Sequence, residues 1–286
     1  MRYEAPDTIE VAVKLLAGEA GVARVLAGGT DLLVQMRSDI ISPDLVIDIK
    51  KISELCQITE EGGGFRVGAA VTGAELKEHP KLSKVWPGLV EAANLIGSTQ
   101  VQGRATMGGN LCNGSPAADS VPALIAAGAV ATLVGPNGRR DLKVEDIMLA
   151  PRKLALTKGE VVASFLLPPR PARSSDAYLR FIPRTEMDIA VVGSGVSLTL
   201  DPGGTCTAAR VSLGAVAARP LLVEDAAKAI IGTKLDHGAL AKLEAAARAA
   251  CKPIDDKRGS IEFRIDVAGV LTRRAALIAQ ERARKA

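Results

Sequence analysis

Aromatic residues are scarce in this sequence, with one tryptophan, two tyrosines and four phenylalanines among 286 residues. Hydrophobic residues nonetheless make up 48% of the chain, so we expect a packed core built mainly from aliphatic side chains. Histidine is rarer still, because only His79 and His237 are present and neither lies near a glycine-rich segment. We expect both histidines at the surface.

The four cysteines, Cys56, Cys112, Cys206 and Cys251, are scattered and show no C-x-x-C spacing. This pattern argues against a zinc site and against a cysteine-ligated iron–sulfur cluster, so we predict no metal in this chain. Free thiols favour a reducing compartment, and we expect the cytoplasm. No signal peptide is recognisable and no apolar run reaches about 18 residues, so we expect no membrane span.

The formal net charge of +4 is mild, and the sequence carries no pattern that predicts nucleic-acid binding. Basic residues gather only near the C-terminus. We interpret them as the solvated face of the last helix, with a docking surface for a partner subunit as the alternative. These residues are Arg273, Arg274, Arg282, Arg284 and Lys285. Motifs such as H-E-x-x-H and G-x-S-x-G are missing, so we predict no catalytic residue.

Two short glycine clusters stand out, at residues 27–31 (AGGTD) and 106–110 (TMGGN). The first lies between an apolar run, Val22–Leu26, and a predicted helix, Leu32–Arg37. This order predicts a strand, a tight turn and a helix N-terminus, whose free N–H groups suit a pyrophosphate. We expect the second cluster in a loop. A Gly-Gly pair alone is usually only a turn, and we interpret Gly62–Gly64 as a plain hairpin.

The chain divides into three parts. Val22–Leu26, Leu32–Arg37 and Leu45–Ile49 form a predicted β-α-β unit in an N-terminal lobe that covers about residues 1–55. A second lobe covers about 56–170, and Pro168–Pro171 marks the boundary of a C-terminal domain. That domain is predicted as a three-stranded antiparallel sheet with helices. Its predicted strands are Ala177–Pro183, Ile189–Leu200 and Thr207–Val216, and its predicted helices lie near Leu221–Ile231, Gly238–Cys251 and Ser260–Arg284.

Five segments in order resemble one family. They are 27–33 (AGGTDLL), 106–120 (TMGGNLCNGSPAADS), 184–192 (RTEMDIAVV), 213–220 (LGAVAARP) and 256–274 (DKRGSIEFRIDVAGVLTRR). Together they resemble the FAD-binding medium subunit of molybdenum hydroxylases, the family of xanthine dehydrogenase and carbon monoxide dehydrogenase flavoproteins. The resemblance implies an α+β fold. A two-lobed FAD-binding domain of the PCMH type would span residues 1–170, and a carbon monoxide dehydrogenase flavoprotein type C-terminal domain would span 171–286.

The resemblance also implies which residues hold FAD. One side of the cofactor would contact Leu26, Ala27, Gly28, Gly29, Thr30, Asp31 and Leu32, and the other side Thr106, Gly108, Gly109 and Asn110. Asp119 matches a carboxylate on the adenosine or ribityl hydroxyls, although an N-cap of the next helix would equally require an aspartate. Ile96, Val101 and Val162 match positions that wall the flavin, and ordinary core is the alternative for them.

Two positions differ from some members of the family. Arg180 stands where some relatives carry a lysine near the flavin, and Ile189 where some carry an aromatic ring against it. Arginine keeps the charge but not the shape, and isoleucine covers a ring without stacking on it. With no histidine near either glycine cluster, we expect non-covalent FAD.

The implied function is electron transfer in a heterotrimer. A small subunit would carry 2Fe-2S clusters, a large subunit would carry the molybdenum cofactor, and FAD in this chain would pass electrons to an external acceptor. The resemblance further implies a dimer of heterotrimers. A stand-alone flavin dehydrogenase or oxidase and a flavin-free scaffold are the alternatives. The substrate stays open, as does the choice among NAD, quinone, cytochrome and oxygen as acceptor.

Overall fold

A computed structural model describes all 286 residues. The N-terminal lobe holds a three-stranded parallel sheet in the order β1-β3-β2. Its elements are β1 (Arg2–Glu4), α1 (Ile9–Gly18), β2 (Ala23–Leu26), α2 (Leu32–Arg37) and β3 (Leu45–Asp48). Helix α1 begins where the Thr8 hydroxyl accepts the Val11 N–H. The parallel pairing of β2 with β3 confirms the predicted β-α-β unit.

The second lobe holds a five-stranded antiparallel sheet in the order β4-β5-β10-β6-β7 and a separate two-stranded ribbon, β8-β9. The strands are β4 (Ile58–Glu61), β5 (Gly64–Gly68), β6 (Val130–Gly135), β7 (Gly138–Lys143), β8 (Met148–Ala150), β9 (Lys153–Leu154) and β10 (Val161–Leu167). The helices are α3 (Gly73–Glu78), α4 (Leu82–Val85), α5 (Pro87–Asn94), α6 (Met107–Cys112) and α7 (Ser120–Ala127). The predicted hairpin is confirmed, because Gly62 and Gly63 both adopt positive φ between β4 and β5.

The second glycine cluster does not lie in a loop, so that prediction is wrong. It forms the first turn of α6, where the Thr106 hydroxyl accepts the Gly109 N–H at 2.9 Å. Two glycines lower the intrinsic helix propensity by about 1 kcal/mol each. The threonine cap and the packing of Gly108 against Ala69 outweigh that preference.

The C-terminal domain holds an antiparallel sheet in the order β11-β12-β13-β14. Its elements are β11 (Ser174–Phe181), β12 (Val192–Leu200), β13 (Cys206–Gly214), β14 (Leu221–Leu222), α8 (Glu224–Ile230), α9 (His237–Ala250) and α10 (Ile261–Lys285). The sheet therefore has four strands rather than the predicted three. Leu221 and Leu222 pair with the edge of β13, so the predicted helix starts only at Glu224.

Three hydrophobic clusters form the interior. The cluster in the C-terminal domain contains 25 buried residues and no aromatic side chain, which confirms the expected aliphatic core. The aromatic residues Phe65, Trp86 and Phe165 lie in the cluster of the second lobe, where Tyr178 from β11 joins them. The two domains thus share buried surface. Gly88 of α5 lies so close to β11 that a Cβ would be 2.7 Å from the Ala177 Cα.

Two surface expectations need correction. His79 is half-buried, because its Nδ1 accepts the Leu82 N–H at 3.0 Å while its ring packs edge-on against Phe65. The basic C-terminal residues are only partly solvated: Arg274, Arg284 and Lys285 are exposed, whereas Arg273 pairs with Glu244 and Arg282 pairs with Glu91 of α5. None of the helices is both long and apolar enough to cross a membrane.

Candidate cofactor-binding cleft

A cleft of about 450 Å³ lies between the N-terminal lobe and the second lobe. Its lining residues all fall between Leu16 and Val162, so the C-terminal domain contributes no side chain to it. Twelve of the sixteen predicted site residues line this inter-lobe cleft. They are Ala27, Gly28, Gly29, Thr30, Asp31, Leu32, Ile96, Thr106, Gly108, Gly109, Asn110 and Val162.

The first glycine turn connects β2 to α2 along one wall. The backbone N–H groups of Gly28, Gly29 and Thr30 donate to no acceptor within the protein. Gly29 has φ of +79°, and a Cβ on Gly28 would lie 2.0 Å from the Arg104 carbonyl oxygen. Both positions therefore require glycine. Unpaired N–H groups at the start of a helix suit the oxygens of a phosphate.

The second glycine cluster forms the facing wall at the start of α6. The N–H of Gly108 has no acceptor in the protein, and a Cβ on this residue would lie 2.4 Å from the Ala69 carbonyl oxygen. Asn110 directs its Oδ1 to the N–H and hydroxyl of Ser120, at 3.0 and 2.8 Å. Its amide NH₂ is left as a donor beside the cleft. Both walls thus offer donors to an anionic ligand.

Asn113 links the two walls at one end of the cleft. Its Nδ2 donates to Asp31 Oδ1 at 3.1 Å, and its Oδ1 accepts from Gln35 Nε2 at 3.2 Å. Burial raises the pKa of Asp31, and hydrogen bonds from Thr30 and Asn113 partly oppose that rise. The start of α2 is therefore fixed to α6 by side chains rather than by the backbone.

Ile96 and Val162 were predicted as apolar residues of the cofactor site, and both are buried and line the cleft. Further apolar side chains continue this surface, namely Val25, Ile41, Ile49, Leu154, Leu156 and Val161. The cleft therefore combines two donor-rich glycine segments with an aliphatic surface. This combination matches a ligand that carries both phosphates and flat rings.

Four predicted residues lie outside the cleft, namely Leu26, Val101, Asp119 and Arg180. Leu26 is buried at the end of β2, where its carbonyl accepts the Ile49 N–H. Val101 ends a short 3₁₀ turn and packs against Gly97. Ile189, at the position where some relatives carry an aromatic residue, is 53% exposed and does not line the cleft either.

Asp119 and Arg180 form a buried ion pair between the two domains. The Arg180 guanidinium donates to Asp119 Oδ2 at 2.9 Å and to the Leu95 carbonyl at 2.8 Å. Asp119 occupies the N-cap position of α7, as the alternative predicted, but its side chain makes no capping hydrogen bond, so capping does not explain why an aspartate stands there. Burial raises the pKa of Asp119, and Arg180 opposes the rise. Asp119 and Arg180 therefore reach the cleft only indirectly, through Leu95 and its neighbour Ile96.

Several lining residues were missed by the sequence reasoning, namely Arg24, Gln35, Cys112, Asn113, Arg152 and Glu160. Asn113 falls inside the second glycine motif, three residues after Asn110, and this spacing was the one local signal available. Arg24, Arg152 and Glu160 come from strands and turns of different lobes, and nothing in their sequence neighbourhoods points to a common site. No group of three or more His, Cys, Asp or Glu side chains is placed to hold a metal ion.

The fold and the donor-rich cleft are those expected of a protein that binds a dinucleotide between two lobes. Comparison with known families identifies the family to which the chain belongs. Residues 1–170 match the FAD-binding domain in molybdopterin dehydrogenase, and residues 177–279 match the carbon monoxide dehydrogenase flavoprotein C-terminal domain. The chain belongs to this family of FAD-binding subunits of molybdenum dehydrogenases.

Relatives extend the match over nearly the whole chain. The carbon monoxide dehydrogenase medium chain of Afipia carboxidovorans is 35% identical over 282 residues, covering 99% of this chain and 97% of the relative. The xanthine dehydrogenase FAD-binding subunit of Escherichia coli O157:H7 is 30% identical, covering 95% and 93%. Carbon monoxide dehydrogenase from Oligotropha carboxidovorans matches in structure with a TM-score of 0.94 at 35% identity, covering 99% and 98%.

Quinoline 2-oxidoreductase from Pseudomonas putida 86 also shares the structure, with a TM-score of 0.90 at 28% identity over 99% of this chain and 98% of that one. These matches confirm the predicted family, the α+β fold and FAD as the cofactor. The relatives are medium chains and FAD-binding subunits of dehydrogenases that contain several subunits. This chain is accordingly an oxidoreductase subunit.

Proposed function

We propose that this chain is the electron-transfer subunit of a heterotrimeric molybdenum hydroxylase. It would take electrons from 2Fe-2S clusters of a small subunit and pass them to an external acceptor, while a large subunit holds the molybdenum cofactor. We also propose a dimer of heterotrimers, and a domain boundary at Pro168–Pro171 between residues 1–170 and 171–286. The full-length similarity to medium chains of multisubunit enzymes supports this proposal.

The single observation that carries the cofactor assignment is the pair of glycine segments facing each other across the cleft. We place the FAD pyrophosphate at the unpaired N–H groups of Gly28, Gly29 and Thr30, with Gly108 and Asn110 on the other side. We place the flavin against Ile96 and Val162. Bound FAD would supply reversible electron acceptance and donation, whereas the protein binds it, orients it and excludes water.

Electron transfer fits the cleft better than substrate chemistry does. Its two carboxylates, Asp31 and Glu160, are both engaged in hydrogen bonds, Asp31 with Asn113 and Glu160 with Arg140. Hydrogen bonds from Arg140 lower the pKa of Glu160 to about 2. Glu160 is therefore a poor general base, because efficient bases have pKa values near the working pH. Asp31, whose pKa is raised by burial, is held by Asn113 at the start of α2. This argues against a stand-alone dehydrogenase that would bind its substrate at the flavin.

The first test is a visible spectrum of the purified chain, followed by acid release and identification of the flavin. We expect FAD that is released without proteolysis, as for a non-covalent cofactor. The matched variants are Gly109→Leu, which projects a side chain from the cleft wall, and Gly103→Leu, where a Cβ meets nothing within 4 Å. Gly109→Leu should lose FAD and Gly103→Leu should keep it. Equal flavin content in both variants would refute the placement of FAD at this wall. A parent chain that is colourless and takes up no added FAD would favour the scaffold alternative.

The partner assignment needs the complex. Affinity purification from the native host should yield two further subunits, with molybdenum and iron detected by elemental analysis. A chain that purifies alone and whose flavin is bleached directly by a small organic substrate would instead be a stand-alone dehydrogenase or oxidase.

A further inference from the structure

Three side chains form a hydrogen-bonded row beneath the first glycine turn. The Tyr3 hydroxyl donates to Asp48 Oδ2 at 2.7 Å, and Lys50 Nζ donates to Asp48 Oδ1 at 2.7 Å. Lys50 Nζ also donates to the Ala27 carbonyl oxygen at 3.2 Å. The order β1-β3-β2 brings these residues together, because the carboxyl ends of parallel strands lie at one edge of the sheet.

Lys50 itself does not line the inter-lobe cleft, although Ala27 does. Its effect on the cleft passes through one peptide group. The carbonyl of Ala27 and the N–H of Gly28 belong to the same planar trans peptide, so they point in opposite directions. Holding the carbonyl against Lys50 therefore presents the Gly28 N–H on the opposite side, and this N–H has no acceptor in the protein.

The glycine turn needs such an anchor. Rotation of the peptide between Ala27 and Gly28 changes φ of Gly28, and glycine tolerates either sign of φ at little cost. The close approach of Gly28 to the Arg104 carbonyl fixes its Cα but not the direction of its N–H. A charge-assisted hydrogen bond to the Ala27 carbonyl supplies the missing constraint.

Asp48 keeps the lysine in place. Burial by itself raises the pKa of Asp48, but hydrogen bonds from Lys50 and Tyr3 outweigh burial, so the net pKa lies below its ordinary value. Asp48 is therefore ionised near neutral pH and holds the ammonium group at the carbonyl. The Lys50 side chain is 32% exposed and that of Asp48 is 11% exposed, so the contact is partly shielded from solvent.

We propose that Lys50 is a positioning residue for the dinucleotide, which orients the Gly28 N–H towards the pyrophosphate through the Ala27 carbonyl. This inference rests on the proposed placement of the pyrophosphate at the first glycine turn. Asp48 holds the Lys50 ammonium group in place, and the Tyr3 hydroxyl donates to Asp48.

The experiment measures the dissociation constants of the deflavinated chain for FAD and for ADP, which carries the pyrophosphate without the flavin. The variants are Lys50→Met, Lys50→Arg and Tyr3→Phe, with Gly109→Leu as the variant that tests the cleft itself. Lys51→Met is the matched control, because the neighbouring lysine is exposed and forms no ion pair or hydrogen bond. The Tm of each apo variant is recorded alongside.

Lys50→Met should raise the Kd for FAD and for ADP by a common factor of about ten, the effect of one charge-assisted hydrogen bond. Lys50→Arg should restore most of the affinity because it keeps a charged donor, and Tyr3→Phe should weaken binding by a smaller factor. Lys51→Met should bind like the parent chain. If Lys50→Met fails to fold, the dissociation constants of Tyr3→Phe and Lys50→Arg still test the hydrogen-bonded row, with Lys51→Met as the control.

A failure of the Lys50 proposal and a failure of the pyrophosphate placement give different results in this experiment. If Gly109→Leu loses FAD while Lys50→Met, Tyr3→Phe and Lys51→Met all bind equally well, Lys50 has no positioning role and the cleft assignment stands. If Gly109→Leu binds FAD like the parent chain, the pyrophosphate lies elsewhere and both proposals fall. A weaker affinity of Lys50→Met for FAD but not for ADP would also overturn the inference, because the effect would then act on the flavin end.

Discussion

Removing one partner of the Asp119–Arg180 pair should be among the most damaging single changes at the domain interface. The side chains of Arg180 and Asp119 are only 5% and 10% exposed. Arg180→Met leaves a buried carboxylate without its cation and leaves the Leu95 carbonyl without its donor. Breaking a buried pair in this way costs about 3–5 kcal/mol in the free energy of unfolding. For a chain of this size the Tm should fall by roughly 10 °C.

The double variant Asp119→Leu/Arg180→Met separates charge burial from packing. With both charges gone, the free energy of unfolding should return to within about 1–3 kcal/mol of the parent value, because an apolar pair replaces a buried ion pair at little cost while the Leu95 carbonyl still lacks its donor. Arg184→Met is the control, since Arg184 pairs with Asp188 but is 69% exposed, and its loss should cost about 1 kcal/mol or less. Calorimetry and urea denaturation of the apo chain measure all four proteins.

The pH dependence of Arg180→Met gives a further check. An unpaired buried aspartate has a folded-state pKa above its unfolded value, so protonation stabilises the folded state. In the parent chain Arg180 opposes the rise and the pKa of Asp119 is about 7. Without Arg180 the pKa lies higher still, so the variant should recover stability relative to the parent chain as the pH is lowered towards 7, and the difference should level off below that pH. A deficit below about 1 kcal/mol for Arg180→Met, or a double variant as unstable as the single one, would refute the reasoning.

Three other changes test the lobes and the domain interface. Glu160→Gln should lower the free energy of unfolding at pH 7 by about 1 kcal/mol after allowance for solvent screening. In calorimetric pH titrations this difference from the parent chain should disappear as the pH falls from the ordinary pKa of 4.5 to the folded-state pKa of about 2. Asn113→Ala should raise the FAD Kd about three- to tenfold in a fluorescence titration by freeing α2 from α6, whereas Asn137→Ala, in an exposed turn, should not. Gly88→Ala should destabilise the chain by about 1–3 kcal/mol in urea denaturation because its Cβ would meet β11, whereas Gly18→Ala, with open space around it, should not.

Local signals account for what the sequence predicted correctly. The first glycine turn was recognised because an apolar strand, a glycine pair and a helix start follow one another within about fifteen residues. The hairpin at Gly62–Gly63 and the strand-length apolar runs are equally local. The second glycine cluster was wrongly predicted as a loop for a related reason, because that prediction also used local sequence alone. Helix propensity counts two glycines against α6, whereas the Thr106 cap and the tight fit of Gly108 on Ala69 depend on geometry.

The contacts that shape the site could not be predicted because they join distant parts of the chain. Asn113 meets Asp31 across 82 positions, and Arg180 meets Asp119 across 61. The role of Lys50 depends on β3 lying directly beside β2 in a parallel sheet, an arrangement in which Ala27 and Lys50 approach although 23 residues separate them. Family resemblance supplied Asp119 and Arg180 as site residues, but only the structure shows them acting on each other.

The C-terminal domain reaches the cleft through one short segment. No residue beyond Val162 lines the cleft, yet Arg180 donates to the Leu95 carbonyl and the Met187 N–H donates to the Gly97 carbonyl at 3.4 Å. Ile96, which does line the cleft, is therefore held on both sides by the C-terminal domain. The two ends of the cleft are therefore positioned by different parts of the chain. The glycine turns are set within the two lobes, whereas the wall formed by Ile96 depends on how the C-terminal domain docks.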